Sequence, residues 1–100
     1  MEDASLTTWD ASEYLDSPDM IAEYLNAAMD ENNQDILLTA LANIAKAKGM
    51  TELASTTGLG RASLYKALTP GAKPRFDTIN KIINGLGIHL RGEPLMSHHF

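Results

Sequence analysis

The sequence predicts an all-α fold, namely a small domain of about five helices with a helical extension at its N-terminus. Apolar residues recur at intervals of three and four positions along most of the chain, which is the spacing of one helix face. Gly, Pro and paired Asn residues divide these stretches into segments of helix length. The 100 residues are 44% hydrophobic, which is enough for one compact helical core, and the chain is too short for two domains.

The N-terminal extension is assigned to residues 1–33 and opens with a helix-start signal. The segment Asp10–Glu13 has the spacing of a capping box, and Trp9 and Tyr14 flank it as a hydrophobic staple would. We therefore expect a one-turn helix that runs through Leu15.

A longer amphipathic helix with an acidic outer face follows in the same extension. Ser17 is a good N-cap. Pro18 suits the first helical position, because a backbone N–H at that position would have no hydrogen-bond partner within the helix. The Asn32–Asn33 pair ends this helix and offers the N-cap of the next one.

The main domain is assigned to residues 34–91 and begins with a helix over Asp35–Lys48. Gly49 is its expected end, since Gly readily leaves a helix through a positive φ angle.

The stretch Met50–Leu68 has the pattern of two short helices joined by a tight turn. Thr51 is a suitable N-cap for the first helix, and Gly58 can end it at positive φ while Leu59 fills the turn. The second helix is expected to bury Leu64, Ala67 and Leu68 and to expose Ala62, Ser63, Tyr65 and Lys66. This arrangement is typical of a helix-turn-helix, which lays its second helix in the DNA major groove.

A stiff basic loop over residues 69–75 precedes the last helix. That helix is predicted to start near Phe76, to stop at Gly87, and to bury Phe76, Ile79, Ile82, Ile83 and Leu86. The segment Ile88–Arg91 alternates apolar and polar residues like a short strand, which would need a neighbour from this chain or another. Residues 92–100 are expected to form a loose tail.

The net charge of −5 hides a strong asymmetry between the two ends of the chain. Residues 1–35 contain ten acids and no Lys or Arg, whereas residues 36–100 contain eight bases and three acids. The two segments therefore carry charges of −10 and +5. Such a split indicates two partners of opposite charge, or one partner and a self-shielding arm.

The outward face of the second helix in the motif supplies candidate DNA contacts. Arg61 lies at its N-terminal end, where a guanidinium can pair with guanine, and Ser63 can bond to several bases. Basic residues of the following loop suit phosphate, which positions a protein without reading sequence. The candidate DNA-binding residues are Thr51, Arg61, Ala62, Ser63, Tyr65, Lys66, Lys73 and Arg75. The alternative is a structural αα-corner with solvated charges.

The acidic extension is a candidate surface for a basic protein partner. Aromatic and leucine side chains among acids are what docking to such a partner would need, although part of this apolar set must pack on the domain itself. The candidate partner-binding residues are Leu6, Trp9, Tyr14, Leu15, Glu23 and Asp30. The alternative is a solvated helix face that keeps the protein soluble.

Other functional classes have little support in the sequence. The chain has no cysteine, and His89, His98 and His99 lack other ligands at metal-binding spacing, so no metal site is expected. No nucleophile elbow, Gly-rich phosphate loop or cofactor motif is present, so we expect neither an enzyme nor a cofactor. No apolar run has the length of a membrane span and no signal pattern is present, so the cytoplasm is the expected location.

Four stretches between Trp9 and Arg91 form a specific combination: WDASEYL, IAEYLNAA, ALANIAKAKGMTELASTTGLGRASLYKAL and PRFDTINKIINGLGIHL. Together they resemble the probable addiction-module antidote proteins, which are helix-turn-helix antitoxins related to HigA-like antitoxins. The resemblance implies a domain like that of lambda repressor, a neighbouring gene for a small basic toxin of the RelE/ParE superfamily, and repression of the shared promoter.

The resemblance also assigns roles to individual residues. By similarity, the recognition-helix positions are occupied by Arg61, Ser63, Tyr65 and Lys66. Gly60 stands where such helices often have a Ser cap, and this departure weakens one expected phosphate contact. An acidic extension could cover a basic toxin surface, so that neutralisation is steric rather than chemical.

The sequence thus predicts a DNA-binding antitoxin and autorepressor whose partners are operator DNA and a basic RelE/ParE-like toxin. A homodimer is expected, because single helix-turn-helix units bury little surface and pair across half-sites about one helical turn apart. The last helix and the segment Ile88–Arg91 are the candidate dimer surface. Two alternatives are a phage-type repressor without a toxin and a protein-interaction adaptor that has lost DNA binding.

Overall fold

The computed structural model of the chain describes residues 15–95, and within this range the protein forms five α-helices and no strand. The helices are α1 (Pro18–Asp30), α2 (Gln34–Lys48), α3 (Met50–Thr57), α4 (Arg61–Ala67) and α5 (Phe76–Gly85). The predicted all-α fold class is therefore confirmed. The capping box predicted at residues 10–13 lies outside the described residues. None of the helices in the described range is both long enough and apolar enough to cross a membrane.

The first two helices begin at the caps that the sequence predicts. Pro18 is the first residue of α1, and the Ser17 hydroxyl oxygen accepts a hydrogen bond from the N–H of Met20 at 3.2 Å. Asn33 caps α2 in the same way, since its Oδ1 accepts from the N–H of Ile36 at 3.1 Å. Each such cap stabilises its helix by about 1 kcal/mol.

One hydrophobic core joins the five helices. α1 packs on α2, and α3 contacts α2, α4 and α5. The core side chains are Leu15, Ile21, Leu25, Leu38, Leu41, Ile44, Ala45, Met50, Leu53, Leu64, Leu68, Ile82, Ile83 and Leu86. The helix that the sequence analysis assigns to the extension therefore shares the core of the main domain.

α5 approaches α3 closely at Gly85. A Cβ atom added to Gly85 would lie 2.8 Å from Cγ2 of Thr57 and 3.0 Å from Cδ1 of Leu53. Carbon atoms in folded proteins do not pack that tightly without displacement, so the absence of a side chain at this position sets the distance between the two helices.

The turn between α2 and α3 differs from the prediction. α3 begins at Met50, so its N-cap is Gly49 rather than Thr51, and no side chain caps the helix. Gly49 has a φ angle of +112°, a conformation that L-residues with side chains rarely adopt, and it makes the turn alone. Met50 is consequently already helical and buried, and Thr51 is exposed in the first helical turn.

The C-terminal part of the prediction is wrong in two details. Phe76 is 69% exposed, because it is the first residue of α5 and lies one turn before the partly buried Ile79. The segment Ile88–Arg91 is not a strand: the N–H of Ile88 donates to the carbonyl of Ile83 at 3.2 Å, and the described part of the chain offers no strand to pair with it. The rest of the buried face of α5 is as predicted.

Candidate nucleic-acid interface

The turn between α3 and α4 determines where α4 lies. Gly58 has a φ angle of +78°, and its N–H donates to the carbonyl of Ala54 at 2.9 Å. The Thr57 hydroxyl donates to the carbonyl of Leu53 at 2.8 Å and accepts from the N–H of Leu59 at 3.2 Å. These hydrogen bonds fix the end of α3 and the turn that leads into α4.

α4 has one buried side and one exposed side. Leu64 has no exposed surface and Leu68, just after the helix, is also buried, so these two residues anchor α4 to the core. The exposed side, which we call the recognition face, consists of Arg61, Ala62, Ser63, Tyr65 and Lys66. The structure therefore brings together five of the eight residues assigned to DNA contact.

Arg61 and Tyr65 contact each other along the recognition face. The Cζ atom of Arg61 lies 5.9 Å from the centroid of the Tyr65 ring, which is one helical turn further on. A cation–π contact at an exposed site is worth about 0.5–1 kcal/mol. It limits the freedom of the guanidinium while leaving its N–H donors available to a ligand.

The loop after α4 lies beside the recognition face. Ser63 and Lys66 of α4 line a groove of about 490 Å³ together with Lys73 and Arg75 of the loop. We call this the basic groove. Its three cationic side chains are all exposed to solvent. Exposed cations that line an open groove can neutralise phosphates of a nucleic-acid backbone.

Two hydrogen bonds hold the loop against the start of α2. Nε2 of Gln34 donates to the carbonyl of Ala72 at 2.9 Å, and the N–H of Gly71 donates to Oδ1 of Asp35 at 2.8 Å. The second bond is to a carboxylate and is therefore the stronger kind. The roles of Gln34 and Asp35 could not be predicted from the sequence, because the two bonds join residues that are 38 and 36 positions apart and no local pattern connects them.

Lys46 is a further basic residue next to the recognition face. It is exposed on α2 and lines a pocket of about 240 Å³ with Tyr65 and Thr69. Its place beside the site could not be predicted from the sequence, since Lys46 comes close to Tyr65 only through the packing of the folded chain. Lys46 extends the cationic surface to the side of α4 that carries Tyr65.

Thr51 is the candidate that the structure does not bring to this surface. It is exposed on α3, and within residues 15–95 no hydrogen bond, ion pair or groove joins it to α4. Its contact with DNA stays a prediction.

The candidate partner-binding residues fall into three groups. Glu23 and Asp30 are exposed on α1. Leu15 is only 5% exposed and belongs to the core, so it is one of the apolar residues of the set that pack on the domain itself, and its contact with a partner stays a prediction. The remaining candidates, Leu6, Trp9 and Tyr14, lie outside the described residues.

The histidines form no cluster in the described part of the chain. His89 is exposed, and within residues 15–95 no group of three or more His, Asp or Glu side chains is placed to hold a metal ion. His98 and His99 lie outside that range.

Comparison with known families gives a match over most of the chain. The sequence model of the family described as "Probable addiction module antidote protein" matches residues 5–94. An uncharacterised protein of Haemophilus influenzae (strain Rd) is 36% identical over 86 residues, which cover 86% of this chain and 89% of that protein. No solved structure matches the chain.

Proposed function

The chain belongs to the family of probable addiction module antidote proteins, and from this premise we propose that it is the antitoxin of a type II toxin–antitoxin module. In this role it binds a small basic toxin of the RelE/ParE kind directly and represses the operon that encodes both proteins. Both activities are binding events in the cytoplasm and require neither catalysis nor a cofactor. The description of the family as antidotes favours this function over a phage-type repressor without a toxin.

The recognition face and the basic groove support the repressor activity. The observation that carries it is the exposure of Arg61 and Lys66 on an anchored α4, beside Lys73 and Arg75 of the loop. Arg61, near the N-terminus of α4, reads bases, and the cations of the groove hold phosphates.

Salt-dependent binding to the protein's own promoter tests this activity. Fluorescence anisotropy with a labelled promoter duplex, measured from low to moderate salt, should show a steep loss of affinity. If Lys66, Lys73 and Arg75 each neutralise one phosphate, the slope of log K against log salt is about −2.7 per subunit, because each contact contributes about −0.9. A flat salt response would contradict phosphate contact and favour an adaptor that has lost DNA binding.

We propose that the repressor is a homodimer. The backbone N–H groups of residues 89–91 make no backbone hydrogen bond within the described range, so they are available to pair with a second copy. The exposed Phe76 adds apolar surface on α5. A dimer would place two α4 helices about 34–36 Å apart on successive major grooves. Sedimentation equilibrium that shows only monomer at DNA-binding concentrations would contradict this proposal.

The acidic extension supports the antitoxin activity. Ten acids without a single base give residues 1–35 a charge that complements a basic toxin, and Trp9 and Tyr14 could act as aromatic anchors. We expect co-purification with the product of the adjacent gene. The double substitution Trp9→Ala and Tyr14→Ala should weaken that complex and leave operator binding unchanged. Equal toxin affinity would remove these anchors from the interface.

A further inference from the structure

A second groove, separate from the basic groove, lies between α1 and α2. Its volume is about 410 Å³, and Tyr24, Ala27, Ala28, Ile36 and Ala40 give it a largely apolar lining. The three alanines leave room for side chains from outside. Ile36 is 41% exposed and adds apolar surface to this lining. We call this the α1–α2 groove.

The groove is rigid before any partner arrives. Both of its helices are anchored to the core, α1 through Leu25 and α2 through Leu38, each of which is almost completely buried. The Tyr24 hydroxyl accepts a hydrogen bond from Nδ2 of Asn43 at 2.8 Å, and this bond fixes the tyrosine that lines the groove. A preformed groove of this kind costs little conformational entropy on binding.

The charge around the groove restricts the occupant. Glu31 and Asp35 line it, and residues 15–35 contain six acids and no Lys or Arg. Asp35 is already bonded to the N–H of Gly71, whereas the Glu31 carboxylate makes no ion pair or hydrogen bond within the described residues. Glu31 is therefore available to a cation from outside.

This charge excludes DNA and disfavours a second copy of the chain. An isologous contact through the groove would place acidic rim against acidic rim. A contact between the groove of one copy and the basic groove of another would occupy the proposed DNA surface and would build a ring or an open chain of subunits. The occupant is therefore a different polypeptide that is both basic and apolar.

We propose that the α1–α2 groove docks an amphipathic helix of the basic toxin, with apolar side chains against Ile36 and Ala27 and with Lys or Arg beside Glu31. Docking of a helix into an apolar groove is a common mode of peptide recognition. The inference rests on the proposed antitoxin function and adds to it a docking site made by α1 and α2 together.

The test compares two substitutions that add the same charge to similarly exposed residues. Ile36→Lys places a cation in the groove, and Met29→Lys places one at a residue of α1 that is 36% exposed and does not line it. Isothermal titration uses the full-length chain and the purified product of the adjacent gene. We expect Ile36→Lys to weaken binding about tenfold or more and Met29→Lys to stay within about twofold of wild type.

Three controls separate the outcomes. Circular dichroism and operator binding should be unchanged for both variants, since both residues are exposed. If Ile36→Lys fails to fold, Ala27→Arg, at an exposed position of α1, replaces it in the comparison. Glu31→Gln should weaken toxin binding several-fold at low salt and less at high salt.

Each result decides between the claims. Loss of toxin binding in Ile36→Lys with unchanged operator binding supports the groove as the docking site. If Ile36→Lys and Met29→Lys both bind the toxin as tightly as the wild-type chain does, the α1–α2 groove is not the docking site, and the proposed antitoxin function is unaffected. Failure of the wild-type chain to bind the adjacent gene product overturns both.

Discussion

Gly85 shows how a single residue sets the distance between two helices. Its missing side chain lets α5 lie against Leu53 and Thr57 of α3, and α3 in turn carries the turn that positions α4. We therefore expect its effect on the proposed DNA surface to be transmitted through packing and not through contact with a ligand.

Gly85→Ala should lower the free energy of unfolding by about 1–2 kcal/mol, because the clash outweighs the better helix propensity of Ala. Urea denaturation measures this change. The control Gly92→Ala, where a Cβ would meet open space, should stay within about 0.5 kcal/mol of wild type. Adding Thr57→Ser to Gly85→Ala removes the nearest methyl group and should recover part of the loss. An unchanged or increased stability of Gly85→Ala would show that α3 and α5 can move apart freely.

Arg61 and Lys73 should differ in how their loss affects DNA binding. Arg61→Ala should cost about 1–3 kcal/mol on the operator and much less on unrelated DNA, since a base contact carries specificity. Lys73→Ala should weaken both equally and reduce the salt slope by about 0.9 per subunit. The control Lys48→Ala removes the same charge from an exposed position at the C-terminal end of α2 and should have little effect. Equal effects of all three substitutions would mean that only net charge matters.

At the scale of elements, the loop over residues 69–75 depends on the start of α2. Gly71 and Ala72 are tied to Asp35 and Gln34, so the cations of the loop keep a fixed place beside α4. An acidic residue therefore helps to position the cations of the proposed DNA-binding surface.

For Asp35→Ala, the loss of a negative charge and the loss of the hydrogen bond to Gly71 predict opposite changes in the affinity for DNA. Removal of a negative charge near DNA should by itself strengthen binding. We expect weaker binding instead, by about threefold or more, because a hydrogen bond to a carboxylate, worth about 1.5–3 kcal/mol, no longer holds the loop. Hydrogen exchange by NMR should show faster exchange of the Gly71 amide. Tighter DNA binding with unchanged exchange at Gly71 would refute the positioning role of Asp35.

Most of the helices could be predicted from caps and helical spacing, which are local features of the sequence. The features that could not be predicted depend on how the helices pack and connect. Ser17 and Asn33 cap α1 and α2 as predicted. Thr51 does not cap α3, because Gly49 alone forms the turn after α2 and α3 already begins at Met50. The exposure of Ala62, Ser63, Tyr65 and Lys66 followed from helical spacing. The hydrogen bonds that hold the loop against α2 and the position of Lys46 could not be predicted, since they depend on contacts between distant parts of the chain.

At the scale of the whole molecule, α1 belongs to the same core as the helix-turn-helix. Leu25 of α1 is 1% exposed and joins the cluster that also contains Leu64 of α4. The acidic and basic parts of the chain are therefore chemically distinct surfaces on one body.

Leu25→Ala should lower the free energy of unfolding of the entire domain by about 2–5 kcal/mol. Thermal unfolding followed by circular dichroism should stay a single transition at lower temperature, and amides in α5 should exchange faster. Met29→Ala, at an exposed position of the same helix, should change the stability by less than about 0.5 kcal/mol. Separate melting of α1 with an unchanged main transition would show that α1 is an independent arm.

The central claim is that DNA binds to the recognition face and the basic groove, on a surface distinct from acidic α1. An NMR titration of the full-length chain with a duplex from its own promoter tests this most directly. We predict that chemical shifts change at residues 61–66 and 71–75, while those of Ala27 and Ile36 in the α1–α2 groove stay in place. Shift changes concentrated on α1, or none at α4, would contradict the claim.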